Sequence, residues 1–217
     1  MSDGVLAGAE MAAAQRIFGD GLPLAERYVR HLATSGIERG LLGPREIPRL
    51  WGRHVLNCAV VAELIATDAR VTDVGSGAGL PGMTFAIARP DLELTLVEPL
   101  DRRVQWLQEV VADLGLPNVR ILRGRAEQFV GQITADVVTA RAVSALTNLA
   151  SLTMPLLKGG GEVIAIKGRS AQLEVEKAEK IIRKLGGTSV EIQTVGEDLL
   201  EQPTTVVRIK VVRRRSS

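Results

Sequence analysis

The chain has one cysteine, two histidines and very few aromatic residues, which make up only 3% of its 217 positions. A lone Cys58 excludes an internal disulfide framework and cannot build a cysteine zinc site, so it reads as a buried spectator thiol. With so few rings the core must be aliphatic, and 46% apolar residues are enough for a substantial one. No run approaches the roughly 18 uninterrupted apolar residues of a membrane span. The first residues also lack the basic start and apolar centre of a secretory leader. A soluble cytoplasmic protein is expected, one domain with an elaborated end. His31 and His54 both fall in the first 65 residues, and no serine sits in a nucleophile elbow. Nucleophile–base catalysis and a metal centre are therefore not expected, and a lone His54 on a helix reads first as packing.

Charge is nearly balanced overall, at +2, but unevenly placed. Arg208, Lys210, Arg213, Arg214 and Arg215 crowd the last ten residues with no acid among them, and the rest of the chain is net acidic. Such an end either attracts phosphates, with a salt-sensitive affinity, or is a solvated tail.

Glycine is plentiful where it matters most. Val71 to Val74 reads as a buried strand, and Gly75, Gly77, Gly79 and Gly82 follow within eight positions. Met83 to Ala88 continues as a helix that Pro90 stops. A strand, a glycine-rich turn and a helix bring a ligand onto backbone that no Cβ shields, near the free N–H groups of a helix start. Gly77-x-Gly79-x-x-Gly82 formally fits a dinucleotide fingerprint. The strand, however, ends at Asp73-Val74-Gly75, and in that frame Leu80 stands where the third glycine belongs. Asp73 also places a carboxylate at the mouth of the turn, which repels a pyrophosphate and attracts a cation. S-adenosylmethionine, with a sulfonium and an ammonium and no phosphate, suits this turn better than a nicotinamide dinucleotide, which stays the alternative.

Residues 5 to 65 carry helical patterns only. The first ends before Gly19, the second runs from Pro23 to Gly36, and the third follows Pro44 with Arg45, Arg49, Arg53 and Asn57 as a stripe at steps of four. That stripe either is solvated or faces a phosphate backbone. From Arg70 strands and helices alternate, with strands at Val71–Val74, Leu94–Val97, Val119–Leu122, Val137–Val138 and Val163–Ile166. Alternation of this kind implies a mostly parallel sheet with helices on both faces. Ser189–Val195 and Thr204–Val212 follow each other without a helix between them and should form an antiparallel hairpin at one edge. The expected units are a helical extension over 1–65 and a Rossmann-like α/β unit over 66–217, folded as one compact body.

Ligands of such sheets sit beyond the carboxyl ends of the strands. Those ends carry Asp73, Glu98, Arg123 with Arg125-Ala126-Glu127, Arg141 and Lys167. Glu98 lies where an acid accepts from ribose hydroxyls, and Glu127 suits an adenine amino group, with the Ala126 backbone beside it. Alternatively Glu127 only supports a helix start. Four cations around one mouth suit a polyanion, or a base read at its oxygen edge, unless Asp73, Glu98 and Glu127 neutralise them. Arg141, Arg123 and Lys167 are the candidates for substrate contact. The lack of a general base fits an acceptor nitrogen with a free lone pair, for which in-line positioning supplies most of the rate.

Leu50-Trp-Gly-Arg-His-Val-Leu-Asn57, Asp73-Val-Gly-Ser-Gly-Ala-Gly-Leu-Pro-Gly82, Arg125-Ala-Glu127, Thr139-Ala-Arg-Ala142 and Ile166-Lys-Gly168 occur in the order seen in the RsmG family, also called glucose-inhibited division protein B. The resemblance covers about residues 25 to 170 and, more loosely, the terminal hairpin. It implies a class I S-adenosylmethionine-dependent methyltransferase acting on guanine N7 in bacterial 16S rRNA of the small ribosomal subunit. It also implies donor contacts at Gly75, Leu80, Ala126, Glu127 and Arg141. Asn57-Cys58, where Asp-Ser is usual, and Pro99 after Glu98 depart from the family's pattern. The remaining donor candidates, Asp73, Gly77, Gly79 and Glu98, come from the turn and strand ends themselves. A monomer without metal or membrane contact completes the expectation. The competing classes are an NAD-dependent oxidoreductase and a non-catalytic RNA-binding protein on the same scaffold.

Overall fold

The computed structural model describes residue 6 and residues 8–141, 144–157 and 159–212. Seven strands form one sheet: β1 (Arg70–Val74), β2 (Glu93–Glu98), β3 (Val119–Arg123), β4 (Val137–Arg141), β5 (Gly161–Lys167), β6 (Gly187–Val195) and β7 (Thr204–Val211). Their order is β3-β2-β1-β4-β5-β7-β6. The first five run parallel, whereas β7 is antiparallel to both β5 and β6. A dinucleotide fold of order 3-2-1-4-5-6 has no such inserted strand. β4 continues three residues beyond the expected Val137–Val138, so Arg141 is the last residue of the strand itself.

Alternation along the strands sends side chains to two separate cores. Val71, Val137, Ile164 and Val206 face a core shared with the N-terminal helices, α4 (Gly82–Ala88) and α5 (Asp101–Leu114). Val138, Val163, Ala165 and Val207 face the other, covered by α6 (Leu146–Thr153) and α7 (Ala171–Lys184). Gly115, left-handed at φ 64°, ends α5 where a side chain would be strained.

The N-terminal helices are part of the first core. α1 (Ala9–Phe18) and α2 (Leu22–His31) bury Ala13, Ala14, Phe18, Ala25, Tyr28 and Val29. The residues after α2 widen into a π-helical turn, Leu32–Gly36. The passage after Pro44 is not one regular helix. It runs through a tight 3₁₀ stretch (Pro44–Arg49), a wide π-helical stretch (Leu50–Leu56), a short α3 (Asn57–Ala59) and a second 3₁₀ stretch (Val60–Leu64). The wide turn buries Leu50, Trp51, His54, Val55 and Leu56, a broader face than regular helical spacing turns inward. Arg45, Arg49 and Arg53 are exposed as expected, but Asn57 leaves the stripe because its side-chain oxygen accepts from Thr204 Oγ1 at 2.7 Å. Trp106 of α5, fully buried, donates its indole N–H to Ser35 Oγ at 2.9 Å and ties the two halves together.

Candidate functional site

Beyond the carboxyl ends of β1, β2 and β4 lies a cavity of about 560 Å³. The turn after β1 builds its floor. Gly75 and Gly77 adopt φ 71° and 57°, a backbone that L side chains rarely take, and a Cβ on Gly77 would meet nothing nearer than 3.8 Å. Gly77 is therefore open to a ligand. Gly79 (φ 85°) serves another purpose, since a Cβ there would collide with Met83 and crowd Leu107 and the Tyr28 hydroxyl at 3.1 Å. Its missing side chain makes room for protein, and it does not border the cavity. Tyr28 in turn donates its hydroxyl to the Ala78 carbonyl, so α2 holds the turn from behind.

Glu98 ends β2 with its carboxylate 1% exposed, and it is fixed from two sides. Oε2 accepts from the Gly77 N–H at 2.9 Å and Oε1 from the Leu100 N–H at 3.0 Å. A carboxylate has about four acceptor sites, so two are left for a ligand's hydroxyls. Arg103, in the first turn of α5, stands 3.8 Å from Glu98 and borders the same cavity, a neighbour that strand-end reasoning missed. Leu41, Leu42, Leu80, Pro99 and Leu100 supply apolar wall, with Leu100 45% exposed at the rim.

Asp73, expected at the mouth of the turn, is instead enclosed by protein and does not border this cavity. Its carboxyl is fully buried, Oδ2 accepts from the Gly82 N–H at 3.1 Å, and Oδ1 has no partner in the protein. Burial pushes its pKa up to about 7, against the opposing pull of the Gly82 hydrogen bond. Burial likewise raises the Cys58 thiol to about 11, keeping it protonated and inert as expected of a spectator.

Register decides where Arg141 points. Asp73 pairs with Thr139, and Thr139 with Ile164, so Asp73, Thr139 and Arg141 share the face covered by the N-terminal helices. There the Arg141 guanidinium meets His54, with both terminal nitrogens 3.2 Å from Nδ1. His54 Nε2 lies 2.6 Å from Glu46 Oε2. Burial holds the His54 pKa below its ordinary value, and the His54 hydrogen bond holds Glu46 low. A second cavity, about 600 Å³, opens on the far side of Arg141 and is bordered by Arg53, His54, Ser144, Lys167 and Glu174. Arg141 forms part of the wall of both cavities.

Not all the expected cations are free. Lys167 follows Ile166 onto the opposite face of β5, where Nζ donates to the Ser144 carbonyl at 2.7 Å and to Glu174 Oε2 at 2.8 Å. Glu174 Oε2 also accepts from Leu146 N, so Lys167 ties the start of α6 to α7. Arg123 is ion-paired with Asp101. The neutralising acids are thus Asp101 and Glu174, not the Asp73, Glu98 and Glu127 considered from sequence. Among the described residues Arg141 pairs with no carboxylate. Ala126 and Glu127 occupy the turn after β3, Ala126 buried and Glu127 exposed, and neither borders the first cavity. Of the expected donor residues, Gly75, Gly77, Leu80, Glu98 and Arg141 come together around it. The basic residues Arg213, Arg214 and Arg215 lie outside the described residues.

A mostly parallel sheet closed by an inserted antiparallel strand, with an acid-anchored glycine turn at its carboxyl edge, defines a class I S-adenosylmethionine-dependent methyltransferase. A putative S-adenosyl-L-methionine-dependent methyltransferase from Methanococcus maripaludis shares the fold, with TM-score 0.59 and 16% identity over 88% of this chain and 95% of that one. A family model described as rRNA small subunit methyltransferase G matches residues 22–203. Ribosomal RNA small subunit methyltransferase G of Pseudarthrobacter chlorophenolicus is 72% identical over 203 residues, 94% of each chain. The same-named protein of Corynebacterium glutamicum (strain R) is 51% identical over 201 residues, 91% of this chain and 90% of that one. The chain belongs to the rRNA small subunit methyltransferase G family. It is therefore a methyltransferase enzyme, and the oxidoreductase and non-catalytic readings are set aside.

Proposed function

We propose that this enzyme methylates N7 of one guanine in the 16S rRNA of the small ribosomal subunit, with S-adenosylmethionine as donor. The observation that carries the reading is the position of Arg141, in the wall between a cavity suited to the donor and a second one open to an acceptor. The donor fits the first cavity chemically. Glu98 keeps acceptor sites for ribose hydroxyls, the leucines and Pro99 offer apolar surface to adenine, and Gly75 and Gly77 leave the backbone approachable. The unpartnered Asp73 oxygen puts negative potential beneath a cationic ligand. When bound, S-adenosylmethionine supplies an activated methyl group on a sulfonium.

The residues of this chain then have only to hold two partners in line. Guanine N7 carries a free lone pair and no proton, so no side chain need act as base, and His54 at the second cavity is engaged by Glu46 and Arg141. Arginine reads guanine at O6 and N7. Because N7 must attack, Arg141 is assigned to O6 alone. Asp73 favours the positive charge that methylation leaves on the ring. Holding the partners in line is worth on the order of 7–11 kcal/mol. Arg123 and Lys167 enter this reading as residues that shape the rim through Asp101 and Glu174. Ala126 and Glu127, outside the cavity's lining, are assigned to the donor's adenine on the family resemblance alone, and Gly79 to support of the turn.

No helix among the described residues is long and apolar enough to cross a membrane, and no group of three or more potential metal ligands occurs among them. The enzyme is taken to act as a cytoplasmic monomer on the subunit or its assembly intermediate. The test is labelled methyl transfer to small subunits from a strain lacking the gene, followed by cleavage selective for N7-methylguanine. One labelled guanine in 16S rRNA supports the reading, and transfer at another atom or none at all refutes it.

A further inference from the structure

We propose that His54 is a positioning residue for methyl transfer, its Nδ1 lone pair holding the Arg141 guanidinium across the wall between the two cavities. The inference rests on the reading of Arg141 given above. Both terminal nitrogens of Arg141 lie 3.2 Å from Nδ1, and a guanidinium has only donors, so Nδ1 must be the unprotonated ring nitrogen. The proton is then on Nε2, which donates to Glu46 Oε2 at 2.6 Å. The order carboxylate, imidazole, guanidinium fixes one tautomer and one ring orientation, as an acid does for a metal-bound histidine.

Three features make the arrangement specific. His54 is 8% exposed, and the wide π-helical turn of Leu50–Leu56 turns it inward beside Trp51 and Val55. Arg53, 3.7 Å from Glu46, adds a cation that favours the charged form of Glu46. Arg141 has no carboxylate partner among the described residues, so His54 is the acceptor that orients its head group while leaving its full charge available. A carboxylate in that place would neutralise the cation that meets the base. An apolar residue would leave a planar fork free to swing between two openings. His54 acts through Arg141 rather than on the reacting atoms.

The test compares His54→Asn, His54→Gln and His54→Leu in steady-state methyl transfer to small subunits lacking the modification, with donor affinity measured separately by calorimetry. Asn places an acceptor oxygen where Nδ1 stood, whereas Gln reaches the place of Nε2 and leaves Arg141 without its acceptor. Misplacement of a reacting group by about 1 Å costs about 100-fold, so His54→Leu and His54→Gln are expected to lower kcat by that order with KM and donor Kd little changed. His54→Asn should recover most of the rate. Should His54→Leu fail to fold, the Asn and Gln variants still differ in the one acceptor at issue. Rates within twofold of the parent for Gln, or an Asn variant no better than Gln, would overturn the proposal. Arg141→Ala separates the two levels. Full activity in that variant removes the reading of Arg141 itself, while its inactivity alongside active His54 variants removes the positioning role alone.

Discussion

Replacing Asp73 with Asn removes a charge the fold tolerates only for the sake of its ligand. In the folded protein burial pushes this carboxyl from its ordinary 3.8 to about 7. Each factor of ten in proton affinity is worth about 1.4 kcal/mol, so the displacement corresponds to at most about 4 kcal/mol. The sign follows from proton counting. Between about pH 4 and pH 7 the unfolded chain has released this proton and the folded chain still holds it, so stability falls as pH rises through that window. The contribution is fully present below pH 4 and gone above about 7. Asn keeps the shape and the Gly82 hydrogen bond but cannot ionise. Urea unfolding of both proteins at pH 5, 6, 7 and 8 should show Asp73→Asn gaining stability relative to the parent with each step, by about 2.5 kcal/mol over this range, the last step being the smallest. Donor affinity should move the other way. A cationic ligand favours the ionised carboxylate, so binding below pH 7 expels a proton, and affinity rises with pH in the parent but not in the variant. Calorimetry in buffers of different ionisation heat reads that proton directly. A stability difference that stays constant with pH, or equal proton release by both proteins, would refute the assignment of a buried carboxyl coupled to the cationic ligand.

Further expectations follow from the same geometry. Arg141→Ala should abolish methyl transfer while the protein still melts cooperatively and binds donor. The turn glycines should separate by mechanism. Gly79→Ala, forced against Met83 at positive φ, should cost roughly 2–4 kcal/mol in urea unfolding. Gly77→Ala should cost roughly 1–2 kcal/mol but weaken donor binding far more. Lys167→Met breaks a pair whose lysine side chain is 7% exposed and should cost roughly 2–4 kcal/mol of stability, with a smaller loss of kcat than Arg141→Ala. Deleting Arg213–Ser217 should weaken RNA binding and flatten its salt dependence without altering donor affinity.

Much of this architecture could be read from the chain because local pattern and global fold agree there. The runs at Val71, Leu94 and Val163 are short and rich in β-branched residues, as strands buried on both faces are, whereas the Val119 run, at the edge of the sheet, is only half-buried. The terminal hairpin was legible from the missing helix between two strands. The glycine turn was legible as a ligand turn, but sequence could not tell Gly77, which faces open space, from Gly79, which faces Met83. That distinction depends on α2 and α5 packing from distant positions. The cations at the strand ends misled for a related reason. Lys167 has its carboxylate partner on the helix after its own strand and Arg123 on the helix before, and only side-chain direction reveals the pairing. Glu46 and His54 carried no spacing signal, because the chain between them changes from a tight helical turn to a wide one and steps of three or four no longer predict neighbours. Arg103 was hidden among ordinary helix-surface charges.

The placement of β7 has a consequence for how the chain can be made or cut. β6 bonds only to β7, and β5 offers its outer side to nothing else. Until Thr204–Val211 arrives, the nascent protein exposes two rows of unsatisfied backbone donors and acceptors beside the apolar residues Val163, Ala165 and Val190. Such edges invite pairing with another copy. Fragments ending before residue 204 should therefore fail as solubility problems rather than as loosely active enzymes, even though every strand-end residue that borders the donor cavity has already been synthesised.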